Sequence, residues 1–155
     1  MKRLRRVDRV CHLAAFTSVQ QSIRDPVFTT KVNVVGMLNV LQLAKALKAE
    51  RMVFASSAPV YGTPRAFPIS ETEDITPISP YGASKTASEL YLGAFEENHG
   101  IEAVSLRFFN VYGPRQTPGE YAGVISIFGK RALNQQPLAF SGTDRRLGTL
   151  FSSRT

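Results

Sequence analysis

Apolar and polar positions along the chain switch between a strand-like and a helical rhythm. Residues 7–15 contain a short apolar run, Val10-Cys-His-Leu-Ala-Ala15, that is continuous rather than alternating, the pattern of a strand buried on both faces. Over residues 29–49 the apolar positions Val34, Met37, Leu38, Leu41, Ala44 and Leu47 recur at helical spacing. Lys45 and Lys48 fall near the C-terminal end of that stretch, where cations suit the helix dipole. Residues 52–56, Met-Val-Phe-Ala-Ser, predict a second strand. A loop rich in Pro and Gly spans 58–80, with prolines at 59, 64, 68, 77 and 80; its length marks it as more than a plain connector. Residues 81–98 predict a second helix, with Ala83, Ala87, Leu90, Tyr91 and Ala94 along one face and Gly100 placed to stop it. A third strand at 103–110, a turn at Tyr112-Gly-Pro-Arg115 and a third helix at 124–134 follow.

Strands joined by helical crossovers predict an α/β fold with a parallel sheet covered on both faces. Ligands of such sheets bind outside the C-terminal strand ends, so the candidate chemistry lies at 14–18, 56–61 and 109–113. With 155 residues, 43% of them hydrophobic and 20% charged, the chain suits one ordinary globular domain. No uninterrupted apolar run approaches the roughly 18 to 20 residues of a membrane span. The basic start, Met1-Lys-Arg-Leu-Arg-Arg, is not followed by a signal peptide's apolar core, because Asp8, Arg9 and His12 interrupt it. One cysteine, Cys11, permits no internal disulfide, and a cytoplasmic location is the expectation.

The net charge of +7 invites a nucleic-acid reading, but its distribution argues against one. Residues 1–9 hold five cations against one acid, residues 144–155 hold three against one, and the interior is nearly balanced. A nucleic-acid groove needs its cations gathered on one folded face.

The sharpest chemical feature is Tyr81-Gly-Ala-Ser-Lys85 at the head of the second helix. Spacing of four residues puts phenol and ammonium on one helical face, and a nearby cation is expected to lower the phenol pKa toward general-base range. Such a pair also begins many solvated helices. Phe54-Ala-Ser-Ser57 delivers hydroxyls at a strand's C-terminal end, where a serine can bond a substrate hydroxyl or the tyrosine; a turn closing a strand uses the same residues. His12-Leu-Ala-Ala15 offers small side chains at the first strand end, which suit a flat ligand and core packing equally. His12 reads as a buried, hydrogen-bonded residue, because no second ligand group frames a metal site. His99 reads as a helix-end residue.

These pieces occur in a telling order: His-Leu-Ala-Ala, Asn33, Ser-Ser-Ala-Pro-Val-Tyr-Gly, Tyr-Gly-Ala-Ser-Lys, and Arg107-Phe-Phe-Asn-Val-Tyr-Gly-Pro-Arg115. Over residues 7–142 the sequence resembles the extended short-chain dehydrogenase/reductases, the NAD-dependent nucleotide-sugar epimerase/dehydratase family, and most of all its UDP-glucose 4-epimerase branch. The resemblance implies a partial Rossmann-type, doubly wound sheet over residues 1–142 that runs into the start of a sugar-nucleotide-binding part. It implies NAD as cofactor and a nucleotide sugar as substrate. Tyr81 matches the tyrosine that takes the proton from the sugar's C4 hydroxyl, Lys85 the lysine that holds the nicotinamide ribose, and Ser57 the residue that bonds the reacting oxygen. Leu13, Ala14, Ala15 and Phe16 match the segment lining the cofactor, Asn33 an asparagine near it, and Phe109 a nicotinamide-side contact. Asn110 matches a residue at the sugar diphosphate. Family members commonly dimerise through the helices that here are 29–49 and 81–98.

The dehydratase branch carries Thr-Asp-Glu where this chain reads Ser57-Ala58-Pro59, which favours epimerisation or simple oxidation and reduction over water loss; a decarboxylase or reductase of the same kind stays open. The family's opening Gly-x-x-Gly-x-x-Gly turn, which binds the pyrophosphate, has no counterpart, since the first glycine is Gly36. Residues 143–155 match nothing in the family and form an unmatched tail, as an out-of-frame translation would leave. A family member shortened at both ends is therefore the expectation, with residues 7–15 left as an exposed edge. A catalytically inactive fragment without independent NAD binding is the competing reading.

Overall fold

The computed structural model describes residues 5–113, 116 and 124–137, and the chain divides into two compact units, Met1–Phe109 and Asn110–Thr155. The first unit holds a three-stranded parallel sheet, β1 (Arg9–His12), β2 (Arg51–Ser57) and β3 (Glu102–Phe108), in that spatial order. Its helices are α1 (Val19–Arg24), α2 (Pro26–Thr30), α3 (Gly36–Ala46) and α4 (Pro80–His99). A π-helical turn, Lys31–Val35, joins α2 to α3, and a 3-10 turn, Ala58–Tyr61, follows β2. The second unit contributes α5 (Val124–Leu133). The expected turn at 112–115 is described only as far as Gly113, and the tail at 143–155 lies outside the described residues.

Local chemistry explains three of the helix starts. Ser18 accepts a hydrogen bond from the Gln21 N–H and caps α1. Asp25 accepts from Phe28 N–H and caps α2, with Pro26 in the first turn. Ser79 accepts from Gly82 N–H and caps α4, again with a proline next. A cap oxygen satisfies one of the orphan N–H groups, and proline loses nothing at a position whose N–H has no partner. Helix α4 ends where the sequence places its stop: Gly100 takes φ +67°, a left-handed conformation that costs glycine nothing.

Register fixes which residues share a face. Val10 pairs with Met52 and His12 with Phe54; Met52 pairs with Ala103 across the other edge. Along β2, Met52, Phe54 and Ser56 are buried while the intervening residues are half-exposed. Met37, Leu41 and Ala44 of α3 and Leu92 and Phe95 of α4 pack on that buried face.

Four expectations need correction. The strand at 7–15 is regular only over Arg9–His12, and its alternate residues Arg9 and Cys11 are exposed, so it is not buried on both faces. Within the first unit the described helices α3 and α4 pack on one face of the sheet, that of Met52 and Phe54, where cover on both was expected. Two right-handed crossovers stepping in the same direction put both connecting helices on one side; covering the other requires the strand order to reverse. The helix expected at 29–49 begins earlier, at Pro26, contains the π-helical turn and ends at Ala46. Helix α1 was not expected, because its six residues are too few to show a period. The run Pro26–Ala46 is also long and apolar enough to pass as a membrane span by length and composition. Here Thr29, Asn33, Met37, Leu41 and Ala44 turn inward along it, and it forms the layer over the sheet.

Core truncation should separate sharply from surface truncation. Leu41 is fully buried in the α3–β2–α4 core, so Leu41→Ala is expected to cost about 2–5 kcal/mol. Ile78, 78% exposed, should change stability by no more than about 0.5 kcal/mol on the same substitution. Urea titration of the two variants checks the contrast.

Candidate active site

The first two turns of α4 turn polar side chains inward: Tyr81, Ser84, Lys85 and Ser88 are all buried. Spacings of three and four place them on one face, which looks toward the C-terminal end of β2. Gly82 permits that approach. A Cβ at this position would stand 2.6 Å from the Pro59 carbonyl oxygen, closer than any side chain tolerates. The glycine between Tyr81 and Ala83 therefore brings the tyrosine against the turn that follows Ser57.

Tyr81 is held at two points of its backbone. Its N–H donates to Ser22 Oγ at 3.1 Å and its carbonyl accepts from Ser84 Oγ at 2.7 Å, while its phenol lies within the influence of the Ser57 hydroxyl. Lys85 is only 3% exposed. Its Nζ donates to the Ala55 carbonyl at 2.7 Å, 4.7 Å from the Phe54 ring centroid and 5.8 Å from that of Tyr81. Burial lowers the lysine to about 8, against an opposing pull from Glu89. Burial also raises the Tyr81 phenol above its ordinary value, with the Ser57 hydroxyl acting the other way. The expected lowering of the phenol is thus overturned: withdrawal from water outweighs the opposing pull of the Ser57 hydroxyl, and Lys85 does not bring the phenol down.

The other expected residues fall into distinct positions. Asn33 sits on the π-helical turn and is buried; it donates to Phe16 O at 3.0 Å and Ser84 Oγ at 2.9 Å, and accepts from Phe16 N–H at 2.8 Å. Both of its amide hydrogens are therefore spent within the protein, and it clamps the loop after β1 to α4. On that loop Leu13 and Ala14 are exposed and Ala15 and Phe16 half-buried. His12 is half-buried and stacks on Phe54 at 5.9 Å between centroids, a ring contact in place of the expected buried hydrogen bond. Desolvation first, and Lys85 second, lower its pKa. Phe109 lies beside Tyr61 at 6.5 Å between ring centroids. Asn110 opens the second unit and is exposed. No cluster of metal-ligating side chains occurs among the described residues.

One group escaped sequence reasoning. Glu89 accepts from Arg107 Nη2 at 2.8 Å and from Arg107 Nε at 3.1 and 3.2 Å, and also from Ser56 Oγ. Arg107 Nη1 donates to the Tyr61 hydroxyl at 3.1 Å, and its guanidinium lies 4.9 Å from the Tyr61 ring centroid. The signal was present: Glu89 continues the four-residue spacing of Tyr81 and Lys85, and Arg107 is a charge inside an apolar strand.

The family model described as GDP-mannose 4,6 dehydratase matches residues 2–146. A putative UDP-glucose 4-epimerase of Methanocaldococcus jannaschii is 43% identical over 136 residues, which cover 86% of this chain and 45% of that protein. A UDP-glucose 4-epimerase of Thermotoga maritima, solved with UDP-glucose, superposes with a TM-score of 0.81 at 40% identity over 87% of this chain and 44% of its own. The Thermus thermophilus UDP-glucose 4-epimerase, solved with NAD, gives 0.76 at 44% identity over 84% and 42%. The chain spans just under half the length of these relatives.

Burial of Lys85 has a measurable pH signature. Its folded pKa of about 8 lies below the ordinary 10.5, so between these values the unfolded chain binds more protons. Stability should therefore rise as pH increases from about 8 toward 10. Tyr81 acts oppositely, its raised pKa costing stability as pH climbs past 10.0. Urea midpoints of the wild type minus those of Lys85→Met, followed across this range, should show the rise; a flat difference contradicts it.

Proposed function

The chain belongs to the NAD-dependent epimerase/dehydratase family, and from that membership we propose that it carries the proton-transfer residues of an NAD-dependent nucleotide-sugar 4-epimerase. The observation that carries this reading is the convergence of Ser57, Tyr81 and Lys85 at the C-terminal end of β2, where α/β sheets bind their ligands. NAD, the family's cofactor, supplies the hydride acceptor when bound. The donor set fits the ribose side of such a cofactor: Lys85 has three N–H donors and spends one on Ala55 O, which leaves donors of the kind that bind a vicinal diol. Leu13, Ala14, Ala15 and Phe16 form the loop beside that end, and Asn33 fixes its position through Phe16. Phe109 supplies an exposed ring for the nicotinamide side, and the resemblance assigns Asn110, the first residue of the second unit, to the sugar diphosphate.

In the proposed reaction Tyr81 Oη takes the proton of the sugar's C4 hydroxyl and later returns it, while Ser57 Oγ bonds the same oxygen. Ala58 and Pro59 follow Ser57 in the 3-10 turn, so no carboxylate stands there to expel water. This supports epimerisation over dehydration.

Calorimetry tests the reading on the 155-residue chain. NAD is expected to bind, with affinity about tenfold or more weaker in Lys85→Ala and nearly unchanged in Tyr81→Phe, while Tyr81→Phe abolishes interconversion of UDP-glucose and UDP-galactose. Absence of binding up to millimolar NAD, or equal affinity in Lys85→Ala, overturns it.

We further propose that two copies associate through α2–α3 and α4, the helices of the regions 29–49 and 81–98. Val27, Val35, Leu43, Leu90 and Tyr91 are exposed along them, more apolar surface than single scattered residues present. Light scattering coupled to size exclusion should report a dimer, and Leu90→Arg a monomer; a wild-type monomer at high concentration counts against the proposal.

A further inference from the structure

Three consecutive residues at the end of β2 meet one face of α4. Ala55 O accepts from Lys85, Ser56 Oγ donates to Glu89, and the Ser57 hydroxyl acts on the Tyr81 phenol. The α4 residues stand four apart, so the strand end and the helix face share three points of contact. Two of them belong to the proposed site; the third belongs to a carboxylate with no part in it.

Resting on the functional reading above, we propose that Glu89 is a positioning residue for the Tyr81–Lys85 pair: gripped by Arg107 and Ser56, its carboxylate locks the strand end bearing Ser57 to the helix bearing the pair. Glu89 and Arg107 have side chains only 10% and 21% exposed. The guanidinium reaches both carboxylate oxygens, so the carboxylate cannot rotate away from Ser56 without breaking the fork. Tyr61 braces the far side of Arg107, and the Glu71 carbonyl accepts from the same nitrogen at 3.4 Å. Each contact comes from a different element: α4, β2, β3 and the turn after β2. A largely enclosed ion pair is weak as a source of net stability, because desolvation offsets its attraction; apolar residues of similar volume serve as well. What apolar residues lack is direction and charge. Glu89 supplies both to Lys85, one helical turn away, and favours the ammonium. The other titratable groups acting on Lys85 or beside it are His12 at the end of β1 and Tyr81 on α4.

Side-chain NMR of the full chain decides the matter. In Glu89→Gln the Lys85 titration midpoint should fall from about 8 by on the order of one pH unit, and the Tyr81 ring resonances should move, with the remaining backbone spectrum intact. A purely structural Glu89 lowers the melting temperature and leaves the Lys85 midpoint in place; that result overturns the proposal. Should Glu89→Gln fail to fold, Ser56→Ala decides, because it cuts the Ser56–Glu89 hydrogen bond and keeps the ion pair. Shifted Tyr81 ring resonances then support the proposal, and unshifted ones overturn it. Both readouts need no cofactor. Loss of NAD binding by the wild type would defeat the functional reading alone, and an unmoved Lys85 and Tyr81 the positioning role alone.

Discussion

A lysine ammonium held out of water governs the architecture around α4. Burying a charge without partners is among the costliest acts in folding, and the chain meets it with a carbonyl at 2.7 Å and an aromatic face at 4.7 Å. Those partners, Ala55 and Phe54, are adjacent on β2, so the strand must run directly beneath the helix. Helix α4 accordingly changes character along its length. Its first half turns Tyr81, Ser84, Lys85 and Ser88 inward, and its second half buries Leu92 and Phe95 in the apolar core. The apolar end supplies the burial that holds the helix down; the polar end is placed by it.

That division explains the buried small polar residues. Ser22, Asn33, Ser84 and Ser88 are almost fully enclosed, and each has a named partner, without which each would cost about 1–3 kcal/mol. Together they form a continuous path. The backbone of Phe16 bonds Asn33, Asn33 bonds Ser84, Ser84 bonds the Tyr81 carbonyl, and the Tyr81 N–H bonds Ser22 on α1. The loop proposed to face the cofactor and the proposed base thus share one hydrogen-bonded frame. The π-helical turn belongs to this frame, since it carries Asn33, whose amide reaches both Phe16 and Ser84.

Much of this was legible in the sequence, and what was missed has physical reasons. Helix α4 was found within a residue at each end, because twenty residues carry a cap, a period and a glycine stop. The central strand and the Tyr81–Lys85 spacing were equally plain. The two-sided burial of β1 was misread, because a continuous apolar run does not say which of its faces finds a neighbour. Helix α1 is too short for periodicity, although Ser18 marks its start. Asn33 was recognised by position but not by action: nothing in the order of residues says that its amide bonds Phe16 and Ser84. Glu89 drew no notice, and Arg107 entered only as the first residue of a motif. The packing of α4 against β2 and β3 shows them to be one partly buried pair.

The opposite shifts of Tyr81 and Lys85 bear on the proposed chemistry. Burial pushes each toward its neutral form, the phenol upward and the ammonium down to about 8. A site with those tendencies is a poor proton acceptor as it stands, because the phenol must ionise before it can take the C4 proton. The same low polarity makes the phenol responsive. A unit positive charge brought to about 5 Å at an effective dielectric near 20 is worth about 3 kcal/mol, or roughly two pH units of stabilisation for a phenolate. Lys85 Nζ stands 5.8 Å from the Tyr81 ring centroid, and burial still keeps the phenol above its ordinary value. In the proposed reaction, a ligand that brought the ammonium nearer the phenol would favour the phenolate, the form that can take the C4 proton.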